Sequence, residues 1–219
     1  MFKKTLNKKI NIDFGAKQYC SKDGKKCNNE YTYFYDENGH FIIILSDVIG
    51  TDESTADEIK VAFELMVQSI KSKIDYNRSL ENFNSSLLSG EETLATVDIA
   101  SIDLSTGSTE FYKAGAAPSI LCQKDKIKKI KSTSLPAGVL RDISFDTALV
   151  KCKVGDIIVL LTDGAISNGC DWIKDEILSF RDGNAQELAE HLCMCAQQQI
   201  TDECESDITI LCAILNKAD

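Results

Sequence analysis

The chain of 219 residues is 43% hydrophobic and 26% charged, an ordinary balance for a soluble globular protein with length enough for one large domain and a full core. Its 24 Lys+Arg against 34 Asp+Glu leave a formal net charge of -10, which opposes non-specific attraction to nucleic acid. The longest apolar runs have the length of a strand, so no segment reads as membrane-spanning.

Met1 to Lys9 is basic and no apolar stretch follows it, so it is not a secretory signal. It reads as a solvated end, or the scar of excision from a longer chain, ahead of a single domain over residues 10–219. Tyr31–Tyr35 and Phe41–Leu45 flank Asp36-Glu37-Asn38-Gly39, and Asn-Gly between β-rich runs predicts a hairpin. Beyond Gly50 the period changes: Ile59, Ala62, Phe63, Met66, Val67, Ile70 and Ile74 predict one amphipathic helix over Ser54–Asp75, capped by Asp52 or Ser54. Leu80, Phe83, Leu87 and Leu88 mark a second helix before Ser89-Gly90.

Strands then return over Thr93–Asp103 and Thr109–Lys113, with a hairpin of Pro118–Gln123 and Ile127–Lys131 across Lys124-Asp125-Lys126. Its lysines read as guards of a sheet edge in preference to a docking site for an acidic partner. Phe145–Lys151 precedes the Val154-Gly155 turn and the buried run Asp156–Gly164. Asn184-Ala185-Gln186-Glu187 reads as a capping box opening a helix with Leu188, Ala189, Leu192, Cys195 and Ala196 on one side. His40 and His191 read as surface residues. Cys122, Cys152 and Cys212, three of nine cysteines, read as small core hydrophobes, and the set fits a reducing cytosol. No nucleophilic-elbow serine, Gly-rich phosphate loop or Cys-His pairing stands out. Runs of strands with segregated helices predict an α+β fold.

Three aspartates mark the ends of apolar strands. Asp47 follows FIIIL, Asp163 follows IIVLL, and Asp207 precedes ITILCAIL. If the last strand runs antiparallel to the other two, all three carboxylates meet at one edge of the sheet. At about 5 Å and an effective dielectric of about 20, each pair repels by roughly 3 kcal/mol. Protons or a cation must then lie between them, and oxygen-only ligands favour magnesium or manganese. The competing reading is that each aspartate simply ends its strand.

In chain order, Leu45-Ser46-Asp47-Val48-Ile49-Gly50, Thr93-Leu94-Ala95-Thr96-Val97-Asp98, Gly115-Ala116-Ala117-Pro118-Ser119, Leu135-Pro136-Ala137-Gly138-Val139, Val154-Gly155-Asp156, Leu161-Thr162-Asp163-Gly164 and Asp207-Ile208-Thr209 resemble the motifs of metal-dependent protein phosphatases of the type 2C superfamily. Within it, the sequence is most similar to the bacterial branch typified by the sporulation stage II protein E phosphatase. The resemblance implies an antiparallel β-sandwich flanked by helix pairs, in αββα layers. It also implies two manganese or magnesium ions held by Asp47, Asp163, Asp207 and the carbonyl of Val48, with the three aspartates as the catalytic set. The metals would share a bridging water and lower its pKa, giving a hydroxide that attacks phosphorus in line. The implied substrate is a phosphoserine or phosphothreonine on a regulatory protein that controls sigma factors, such as an anti-anti-sigma factor. The implied setting is cytoplasmic, in some relatives as part of a longer membrane-attached protein. Three positions depart from the pattern: Val48 replaces Gly, Asn28-Asn29 replaces an early Gly-Asp, and Ser206 replaces the first of two aspartates before the last strand. They motivate a rival expectation, a degenerate phosphatase that binds a phosphoprotein without cleaving it.

Overall fold

A computed structural model describes residues 9–20, 27–49, 53–88, 93–124, 126–180, 183–199 and 207–218. Along them run β1 (Ile10–Tyr19), β2 (Glu30–Tyr35), β3 (His40–Ile49), α1 (Glu53–Lys71), α2 (Tyr76–Leu87), β4 (Leu94–Asp103), β5 (Ser108–Ala114), β6 (Ser119–Gln123) and β7 (Lys126–Ile130). Then come β8 (Asp146–Lys151), β9 (Ile157–Leu161), a 3-10 turn over Asp163–Ile166, α3 (Trp172–Ser179), α4 (Ala185–Gln198) and β10 (Ile208–Lys217). One sheet has the order β1-β10-β9-β6-β7 and the other β2-β3-β4-β5-β8. Neighbouring strands pair antiparallel in both.

Strand period two explains the layers. On β3, Phe41, Ile43 and Leu45 enter the core between the sheets, together with Ile158 and Leu160 of β9 and Leu211, Ala213 and Leu215 of β10. The alternate residues Ile42 and Ile44 instead meet Ile59, Phe63 and Met66 of α1 and Leu80 and Phe83 of α2. On the far side, Val159, Ile208, Ile210 and Cys212 meet Ile173 and Ile177 of α3 and Leu188, Leu192 and Cys193 of α4. The continuous apolar runs are therefore apolar on both faces because both faces are covered. The architecture is α+β in αββα layers.

Several details differ from expectation. The first helix ends at Lys71, short of Asp75: Lys73 has φ 67, its N–H donates to Ile70 O at 2.9 Å, and the Ile74 N–H donates to Ser69 O at 3.1 Å. This left-handed stop satisfies the last carbonyls, and Asp75 instead caps α2 by accepting from the Asn77 and Arg78 amides. Strand β1 and helix α3 were not expected from the sequence. Cys20 and Cys27 form a disulfide, with Cα atoms 5.0 Å apart, which departs from a fully reduced set. Cys122, Cys152 and Cys212 are buried, as expected, and take part in no disulfide among the described residues. The capping box of Asn184 and Glu187 is present. The expected caps Asp52 and Ser54, the basic stretch up to Lys8, Ser89-Gly90, Gly50, Asp125 and Ser206 fall outside the described residues or side chains.

Candidate metal centre

The same period places the aspartates. On β3 the inward row Phe41, Ile43, Leu45 continues by twos to Asp47 near the strand's end. On β10 the inward row counts back from Leu211 through Thr209 to Asp207, just ahead of the strand. Leu161, the last residue of β9, pairs with Ile210 of β10, so Asp163 at the start of the 3-10 turn lies beside the beginning of β10. The meeting point differs from the one expected. Asp47 comes from one sheet and Asp163 and Asp207 from the other, so the carboxylates face one another across an open end of the sandwich, not along one sheet edge.

Their electrostatics follow from this crowding. Asp47 retains some exposure but is surrounded by protein on most sides. Burial first, then the charges of Asp163 and Asp207 and a side-chain hydrogen bond with Asp163, push its carboxyl up to about 8, against the main-chain N–H that Asp163 donates to it. Asp163 is exposed, which leaves the corner open to solvent. Among the described residues, Glu176, His191 and Cys195 are the trio of acidic, His or Cys side chains with ligand atoms all within 4.8 Å of one another.

Val48 is not in the left-handed region, so the conformation there does not require Gly. Its carbonyl direction can be read from the ladder. Ala95 exchanges both backbone hydrogen bonds with Ala137, at 3.1 and 2.8 Å, so Ala95 turns its N–H and C=O away from β3. Val48, opposite Ala95, is then in a non-hydrogen-bonded pair and points its own carbonyl away from β4. On that flank β2 begins only at Glu30, opposite Ser46, so among the described residues no ladder partner reaches Val48.

Neighbouring groups fix the acids. The Asp47 N–H donates to Thr96 Oγ1 at 3.3 Å and Ser46 Oγ donates to Thr96 O at 2.8 Å. Thr162 ties the end of β9 to β10: its N–H donates to Thr209 O at 3.1 Å, its Oγ1 accepts from the Thr209 N–H at 3.0 Å and donates to Asp207 O at 3.2 Å. The Asn28 N–H donates to Asp207 Oδ2 at 3.0 Å. Asn29, one of the positions that depart from the family pattern, is buried with its Nδ2 donating to Thr209 Oγ1 at 3.1 Å.

Beneath the corner lies a buried polar network that sequence reasoning did not single out. Lys113 Nζ is 2.5 Å from Asp98 Oδ2 and donates to Ser119 Oγ at 2.7 Å, and Ser119 Oγ donates to Asp98 Oδ2 at 2.6 Å. Asp98 and Lys113 sit on one sheet and Ser119 on the other, so the network joins the two sheets one inward layer below Asp47. Burial lowers the Lys113 pKa and Asp98 partly opposes that. Asp98 Oδ1 has no hydrogen-bond partner.

A cavity of about 480 Å³ lined by His40, Asp103 and Glu110, among others, opens at the other end of β3. His40 is seven residues from Asp47, or roughly 23 Å along a strand. The cavity contains none of the three aspartates. His40 there contacts Asp36 at 3.2 Å. His191, expected at the surface, is half-buried against Glu176.

The model of the family described as stage II sporulation protein E (SpoIIE) matches residues 37–216. Stage II sporulation protein E of Priestia megaterium is 25% identical over 212 residues, covering 93% of this chain and 36% of that protein. The chain thus spans about a third of that relative's length. The solved PP2C phosphatase domain of SpoIIE from Bacillus subtilis, which includes a fragment of its regulatory domain, superimposes with a TM-score of 0.85 at 22% identity. That alignment covers 97% of this chain and 64% of that one. RsbX, solved in complex with magnesium, superimposes with a TM-score of 0.73 at 17% identity over 95% of this chain and 100% of that one.

Proposed function

The chain belongs to the stage II sporulation protein E family, and from that premise we propose that it is a metal-dependent protein serine/threonine phosphatase acting on a regulatory phosphoprotein. The observation that carries the reading is the Asp47 carboxyl, pushed up to about 8 by burial and by two further carboxylates. A corner with three acids from two sheets is short of positive charge, and its donors are oxygens only, the set that suits magnesium or manganese. Asp47, Asp163, Asp207 and the Val48 carbonyl are the groups that would hold two such ions. RsbX, of similar fold, is solved with magnesium. When bound, the cations supply a water activated near neutral pH and positive charge to offset that of the phosphate.

The chain's own residues do the rest. Asp47 must lose its shared proton before its carboxylate can act as a ligand, so metal affinity rises with pH towards about 8. The Asn28 N–H and Thr162 hold Asp207 in place, and Thr96 holds the main chain at Asp47. Exposed Asp163 leaves the phosphoryl group an open approach. The family name and the regulatory setting of its members make a sigma-factor regulator, such as a phosphorylated anti-anti-sigma factor, the substrate class we assign. Among the described residues no helix is long and apolar enough to cross a membrane. A cytoplasmic site of action follows instead from the assigned substrate class, a sigma-factor regulator.

Hydrolysis of p-nitrophenyl phosphate with manganese tests the proposal: the parent protein turns over and Asp163→Asn does not. Equal activity in the two refutes it. The turning of Asn29 towards Thr209 favours a second reading, in which the domain binds the phosphoprotein without cleaving it. Calorimetric titration separates the two, since absence of manganese binding at millimolar concentration supports binding alone.

A further inference from the structure

We infer that Glu176, His191 and Cys195 form a second metal site, distinct from the aspartates, that takes one zinc-class divalent ion and pins α3 to α4. His191 and Cys195 are four residues apart on α4 and so share one face of it, and Glu176 reaches that face from α3. Their ligand atoms converge on a single nitrogen: His191 Nε2 lies 2.7 Å from Glu176 Oε2 and 3.7 Å from Cys195 Sγ. All three ligand atoms fall within 4.8 Å of one another. The ring of Phe180 stacks on the imidazole at 6.0 Å with an interplanar angle of 23°, which holds the imidazole plane in the orientation that presents Nε2 to both partners.

The donor chemistry selects the ion. Nitrogen, sulfur and oxygen in one cluster match zinc, which accepts all three at about 2.0–2.3 Å, and not the hard cations suited to the aspartate corner. A thiolate and a carboxylate together balance a charge of two. Side-chain exposure of 31% for His191 and 34% for Glu176 leaves an entry path and room for a water as fourth ligand. The fold also gives the ion something to do. Helix α3 has eight residues, buries Ile173 and Ile177, and its N-cap residue Asp171 makes no side-chain capping bond. A helix so short is marginal unless tertiary contacts hold it.

Cobalt serves as a spectroscopic stand-in for zinc. The full chain, its Cys20–Cys27 disulfide intact and stripped with chelator, is titrated with cobalt(II) and followed for thiolate-to-metal charge-transfer absorption and the visible bands of tetrahedral coordination. One equivalent is expected to develop both, and zinc to abolish them. Cys195→Ser and His191→Ala lose the charge-transfer and tetrahedral signals respectively, while Cys170→Ser and Asp163→Asn keep both. Retention in Asp163→Asn separates this site from the proposed phosphatase centre, so either can fail alone. Zinc also raises the thermal midpoint of the parent and not of Cys195→Ser, a readout on the folded parent itself. Absence of the charge-transfer band in the parent, or its persistence in Cys195→Ser, overturns the assignment.

Discussion

Replacing Asp47 with Asn removes the one titration that the crowded corner most strongly perturbs, and the effect on stability has a definite sign. In the folded, metal-free protein the Asp47 carboxyl is raised from 3.8 to about 8, so the folded state binds a proton that the unfolded state releases. Such a group contributes stability fully below its unfolded pKa, and that contribution is lost as pH rises through the folded pKa. Each pH unit across that window costs about 1.4 kcal/mol. The whole shift is of order 5 kcal/mol, comparable with the net stability of a small domain. Between about pH 6 and pH 8 the loss is about 2 kcal/mol, because the folded carboxyl begins to ionise at the upper end. Asn is neutral throughout and close in shape. Urea unfolding in chelator should therefore find Asp47→Asn more stable than the parent, with the gap widening by about 2 kcal/mol over that interval. Manganese should close the gap by stabilising only the parent. A gap that does not change with pH would refute the account of the corner.

Other consequences are independent of the metal. Lys113→Met leaves Asp98 charged and buried with one oxygen already unpartnered, and denaturant titration should show a loss of about 3–5 kcal/mol. The double variant with Asp98→Leu should recover much of it. Gly15→Ala places a methyl group 2.2 Å from the Ala185 carbonyl oxygen, backbone that cannot turn aside. Helix α4 must lift from β1, and the thermal midpoint should fall by the equivalent of about 1–3 kcal/mol.

The runs FIIIL, IIVLL and ITILCAIL were legible because the sandwich covers both faces of these strands, and burial on two faces leaves its mark in sequence as unbroken hydrophobicity. β1 was not legible. Its sequence is interrupted by Asp13 and Gly15, and both make sense only once α4 is in place: Asp13 Oδ2 accepts from the Ala185 N–H at 2.8 Å, and Gly15 makes room for the same turn. α3 is too short to display a period. The three aspartates could be chosen from their places at strand ends, and the antiparallel relation of the last strand to β9 followed from the position of Asp207. That β3 belongs to the opposite sheet could not be read, since nothing local records which sheet a strand joins. Lys113 lies in a strand whose alternation looks ordinary, and only the pairing of β4 with β5 and the facing of Ser119 on β6 of the other sheet show why a lysine is buried there. The sequence shows no Cys-His pairing that stands out, yet His191 and Cys195 stand 3.7 Å apart: Cys195 reads there as part of the apolar side of α4, and Glu176 reaches both through tertiary packing alone.

Anomalous diffraction from crystals soaked in manganese at a pH above 8 tests the central claim most directly. Two peaks are predicted between the sheets, each about 2 Å from carboxylate oxygen, with Asp47 touching both and the Val48 carbonyl and the carboxylates of Asp163 and Asp207 completing the set. Crystals that bind no manganese there, or hold it away from Asp47, would contradict the account.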